Sequence, residues 1–78
     1  MRIIDVIKIK GDIVAICDGE DLPMRDECKR ISVCEKIFDV NKYDPIMSFS
    51  GHKSALIGLA NVVDISDIPI GDFRIISI

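Results

Sequence analysis

Apolar and polar residues alternate through the opening segment IIDVIKIK, Ile3 to Lys10, and the alternation stops at Gly11. A period of two is strand geometry, because successive side chains of an extended chain point to opposite faces. Strict alternation puts Ile3, Ile7 and Ile9 on one face with Asp5, and Ile4, Val6, Lys8 and Lys10 on the other. In a small barrel the first set is expected inside, with Asp5 near a rim where water or backbone amides satisfy it. A turn at Gly11-Asp12 leads into a second strand, Ile13 to Cys17, bounded by Asp18-Gly19, a dipeptide suited to the positive φ of a tight turn.

The segment EDLPMRDE reads as an irregular connection, since Pro23 blocks a central strand and the charges keep it solvated. A third strand is expected over Lys29 to Phe38, with Ile31, Val33 and Ile37 on one face and Cys34 and Phe38 on the other. DVNKYDP is a loop by composition, because Asn41, Asp44 and Pro45 each favour turns. IMSFS and SALIGLA then form a hairpin around Gly51-His52-Lys53, with Gly58 marking a bulge or a close backbone approach. A helix over Ser54 to Val63 competes, weakened by Gly58 at its centre. After a turn at Gly71-Asp72, FRIISI is the last strand.

Six short strands joined by Gly and Asp turns predict an all-β fold, a small closed antiparallel six-stranded barrel, in one domain over residues 1–78. Composition sharpens this. Ile occurs 16 times and Val 6 times against 3 Leu, and Cβ-branched side chains fit a pleated sheet. The apolar runs ALIGLANVV and IISI fall short of the roughly 20 residues that span a bilayer, so no membrane association is expected. Cys17, Cys28 and Cys34, an odd number without framework spacing, read as reduced thiols of a cytoplasmic protein. The net charge of −3 disfavours RNA, which is bound by an excess of Lys and Arg on one face, although Arg25, Lys29, Arg30 and Lys36 could gather into a binding patch.

The opening segment resembles the first strand of the second domain of elongation factor Tu and related translational GTPases, where Ile-x-Asp-Val leads to Ile-x-Gly. Ile3, Asp5, Val6, Ile7, Ile9 and Gly11 match in order. DIPIGD, with Ile68, Gly71 and Asp72, is similar to that family's closing turn; ISVCEKI matches at Glu35, and GHKSALIGLA resembles its Gly-led strand. Two departures stand out. GDIVAICDG keeps only Gly11, Val14 and Gly19 of the family's second hairpin, and the region of Arg25-Asp26 replaces a Gly-Asp pair. The resemblance implies the barrel fold of that domain type. In the complete factors such a barrel helps hold the acceptor end of aminoacyl-tRNA or docks on ribosomal partners, and the contacting residues lie where this chain departs, so the fold is carried over and the ligand is not.

No stretch carries the spacing of a reaction centre. SGHKS lacks the first glycine of a phosphate loop, and His52 interrupts the order such a loop requires. His52 with the three cysteines lacks the Cys-x-x-Cys clip of structural zinc. The acids Asp18, Glu20, Asp21, Asp26 and Glu27 lack the register of a calcium loop. The expectation is a stand-alone, non-catalytic binding module with no cofactor, whose partner is a protein or a second copy of itself. The alternative is an accessory that binds tRNA or the ribosome, and a thiol sensor is a weaker third.

Overall fold

The computed structural model describes residues 1–24, 28–48 and 50–76. Its strands are β1 (Arg2–Ile9), β2 (Asp12–Asp18), β3 (Arg30–Val33), β4 (Lys36–Met47), β5 (Lys53–Leu59) and β6 (Gly71–Ile76), with one 3-10 turn, η1 (Ile65–Asp67), before β6. All neighbours are antiparallel and the sheet closes in the order β1-β2-β5-β4-β3-β6. The expected all-β closed barrel is therefore the observed one. The helix considered over Ser54 to Val63 is instead β5, paired on both sides.

The core is filled by one parity of each strand, with the parity switching once in β1 and once in β4 at a bulge. Ile13, Ala15 and Cys17 of β2, Ile31 and Val33 of β3, Tyr43 of β4, Ala55, Ile57 and Leu59 of β5 and Phe73 of β6 are all buried. Leu22, Cys28 and Ile68 are buried as well, so the two long connections supply core side chains in addition to joining strands. Each fully buried aliphatic side chain contributes roughly 1.5–3 kcal/mol of transfer free energy.

The first strand departs from strict alternation. Ile3 pairs with Cys17 and Asp5 with Ile16, so Ile4 is an extra residue in a bulge. The Asp5 carboxylate accepts the Val6 N–H at 2.8 Å and holds the irregular backbone there. One inserted residue reverses the parity of everything beyond it. Ile3 remains inside, Val6 becomes a core residue, Ile7 moves to the outer face, and Ile9 is 47% exposed. The expectation that Ile7 and Ile9 point inward is thus overturned.

The stretch read as a single third strand is a hairpin. Cys34 and Glu35 form its two-residue turn with φ of 48° and 68°, the left-handed geometry that matches sheet twist in tight hairpins. Asn-Gly normally marks such a turn, and its absence concealed this one. Val33 pairs with Lys36 and Ile31 with Phe38, so Phe38 packs against the core while Ile37 is 63% exposed, contrary to its expected face.

The loop expected from DVNKYDP is also strand, because β4 runs through it. Between Val40 and Met47 this strand pairs with β5 alone, leaving one edge where Pro45 removes no ladder bond. Asn41 falls in a second bulge, at the register shift between Val40 and Lys42. Gly58 lies opposite, and a Cβ there would sit 2.5 Å from Asn41 Oδ1 and 3.2 Å from Lys42 Cβ. Of the bulge or close backbone approach expected at Gly58, the bulge lies in the facing strand at Asn41, and the close approach is made by side-chain atoms of Asn41 and Lys42. The first turn is Lys10-Gly11, one residue earlier than expected, with φ of 49° and 88°.

Candidate functional site

The outer face of β1-β2-β5-β4 is built by cross-strand register. One row across the strands runs Asp5, Ile16, Leu56, Asp44, and the next runs Ile7, Val14, Gly58, Lys42. Ile7, Val14, Ile16 and Leu56 are half-buried and form an apolar centre. Ile9 extends it on one side, and Ile46, 50% exposed, on the other. Solvent-facing sides of antiparallel sheets are normally polar, so this face departs from the usual pattern. The β1 bulge is part of the reason, because it delivers Ile7 and Ile9 to this side.

A hollow of about 410 Å³ opens on this face, lined by Ile9, Val14, Leu56 and Gly58 with charged residues at its margin. Gly58 contributes no side chain, and the Asn41 amide from the facing bulge lies beside it. Lys42 Nζ stands 3.5 Å from Asp44 Oδ2 across the margin, and Lys10 and Asp12 flank the opposite end. The rim therefore carries two cations and two anions.

The candidate patch of Arg25, Lys29, Arg30 and Lys36 is only partly assembled. Arg25 lies outside the described residues. Lys29 is exposed next to Arg30, and its carbonyl accepts the Val40 N–H at 2.9 Å. Arg30 Nε donates to Asp39 Oδ1 at 3.0 Å, which neutralises it locally. Lys36 sits at the far end of the same hairpin, opposite Val33, on the other parity from Arg30. It borders a separate hollow of about 330 Å³ that also holds Asp39 and Asp67.

The register brings together a different set of charges. Arg2 Nε and His52 Nε2 approach the Asp18 carboxylate at 3.9 and 3.8 Å, and Lys53 Nζ donates to the Glu20 carbonyl at 3.1 Å. Residues 2, 18 and 52 are too far apart in the chain for spacing to reveal them; only the β1-β2-β5 register does. Exposed pairs of this kind contribute at most about 1 kcal/mol.

The sulfur chemistry is muted. Cys17 and Cys28 are buried and Cys34 is exposed in its turn. Burial, reinforced by the neighbouring Cys28 thiol, pushes the Cys17 thiol up to about 12, and its Sγ faces the Ala15 carbonyl at 3.7 Å. The thiolate is the reactive form, so Cys17 is an inert core group at neutral pH. Among the described residues no three His, Cys, Asp or Glu side chains are placed to hold a metal ion, and no helix is long and apolar enough to cross a membrane.

No protein-family model, no curated protein and no solved structure matches this chain.

Proposed function

We propose that this barrel is a non-catalytic protein-interaction module that makes contact through the outer face of β1-β2-β5-β4. The observation that carries the reading is the apolar cluster of Ile7 and Val14 in one cross-strand row and Ile16 and Leu56 in the next, on a side of the sheet that faces water. Exposed apolar surface rimmed by polar residues is the physical mark of a binding patch, because covering it removes area from water at about 25 cal/mol per Å². The shape allows a partner to seat, since the hollow over Gly58 gives it relief. The likeness of the β1 segment to the second domain of translational GTPases suits a barrel of that type, and no ligand is carried over with it. Three thiols without framework spacing favour a reducing, cytoplasmic setting.

Affinity capture after chemical cross-linking tests this, comparing the native chain with Leu56→Glu and with Ile37→Glu on the opposite side of the barrel. Loss of captured protein with Leu56→Glu alone is the expected result. Equal capture by all three chains overturns the assignment of the face.

A further inference from the structure

Resting on that reading, we infer that the occupant of the outer face is a second copy of this chain, docked about a two-fold axis. A symmetric contact demands a patch complementary to itself, and the register of this face meets the demand. A two-fold axis laid across the strands, between the row of Leu56 and the row of Gly58, exchanges the two rows. Asp44 of one copy then faces Lys42 of the other, Ile16 faces Val14, Leu56 faces the hollow floored by Gly58, and the exposed Asp5, at the β1 margin, faces Ile7. The alternative in-plane axis, along the strands, would set Asp5 against Asp44 and is disfavoured by like charge. The favoured arrangement also keeps the strands of the two copies aligned, as sheets packed face to face prefer.

Charge balance points the same way. The chain carries a net charge of −3, yet the rim holds Lys10 and Lys42 against Asp12 and Asp44. A strongly acidic or basic partner would leave half of these groups facing like charge, whereas a copy of the same rim satisfies the pair at Lys42 and Asp44 twice.

Area sets the strength. A standard interface covers about 800 Å² per partner, close to a sixth of the 5148 Å² surface of this chain. Four strands about 4.8 Å apart, each with a few outward residues, give a face roughly 20 Å on a side. A face of that size covers about 400 Å², half the standard, so the dimer is a weak one that forms only at high protein concentration.

Sedimentation velocity on the full chain, from low micromolar to several hundred micromolar, reads the equilibrium directly. The native chain is expected to dimerise; Lys42→Asp and Asp44→Lys each place like charges together twice per dimer and weaken it about tenfold. The double variant Lys42→Asp/Asp44→Lys restores opposite charges and returns the affinity to within about threefold of native. Both positions are exposed, and circular dichroism confirms that each variant keeps the barrel. Zero-length carbodiimide coupling in an equal mixture of ¹⁴N and ¹⁵N chains gives a second readout, a mixed-isotope amide between Lys42 and Asp44. A strict monomer, a dimer indifferent to the charge swaps, or the absence of the mixed-isotope amide overturns the inference. A strict monomer whose capture of another protein is still lost with Leu56→Glu overturns the second copy alone and leaves the module reading standing.

Discussion

The phenol of Tyr43 donates a 2.6 Å hydrogen bond to the carbonyl of Pro23, tying the middle of β4 to the connection between β2 and β3. Leu22, next to that carbonyl, is buried in the core, so the bond also holds a core side chain in place. Tyr43→Phe removes the donor and keeps the ring. The expected loss is about 1 kcal/mol in urea unfolding, with faster amide exchange in residues 21–24 as its local sign. Unchanged exchange there would show that the connection is held by packing alone.

Alkaline pH should unfold this barrel. Burial first, and the Cys28 thiol second, push Cys17 from 9.0 to about 12 and Tyr43 from 10.0 to about 12. Both groups are raised in the folded state, so the unfolded chain releases these protons first and binds fewer of them. Their contribution is complete below about pH 9, declines as pH rises, and is gone once pH has passed through about 12. Urea midpoints measured from pH 7 to 11 should hold steady and then fall. Cys17→Ala and Tyr43→Phe should each flatten that fall.

Gly58 and Asn41 form a coupled pair. A methyl group at position 58 would meet Asn41 Oδ1 at 2.5 Å and Lys42 Cβ at 3.2 Å. Gly58→Ala is expected to cost about 1–2 kcal/mol, in the range of overpacked sites. Adding Asn41→Ala should recover more than half of that loss, because the nearer obstacle is gone and only the Lys42 contact remains. Additive effects in the double-mutant cycle would show that the two residues do not touch.

Thiol chemistry should divide two to one. Ellman's reagent is expected to label Cys34 rapidly in the native chain, and Cys17 and Cys28 only on unfolding, following their burial. Rapid native labelling of Cys17 or Cys28 would revive a sensor role for the core sulfurs.

RNA titrations followed by fluorescence anisotropy are expected to stay flat at physiological salt. The chain is acidic, Arg30 is engaged by Asp39, and Lys36 lies on the other parity of the hairpin. A complex whose affinity falls steeply with ionic strength would reinstate the phosphate-binding alternative.

The sequence revealed the barrel because the Ile and Val pattern and the Gly turns are local signals, and it failed where single residues reset the phase. At Ile4 the inserted residue leaves composition unchanged while reversing the orientation of Val6, Ile7 and Ile9. At Cys34-Glu35 two ordinary residues take left-handed geometry, so the hairpin lacked its usual marker. Asn41, Asp44 and Pro45 looked like loop, yet β4 tolerates them because its neighbour is β5 alone along that stretch. Close packing at Gly58 was readable in advance, but the β4 bulge that causes it was not. The apolar outer face was hidden for a related reason: it is made of residues from four strands, and two of its six apolar side chains, Ile7 and Ile9, are turned outward by the β1 bulge.

That bulge absorbs one residue without disturbing either surface of the strand beyond it. An in-frame deletion of Ile4 would leave Ile3 and Val6 inside and Ile7 and Ile9 outside in unbroken alternation, with Val6 still opposite Ala15 and Ile7 still opposite Val14. The first strand can therefore lose a codon there and keep both its strand order and its outward side chains.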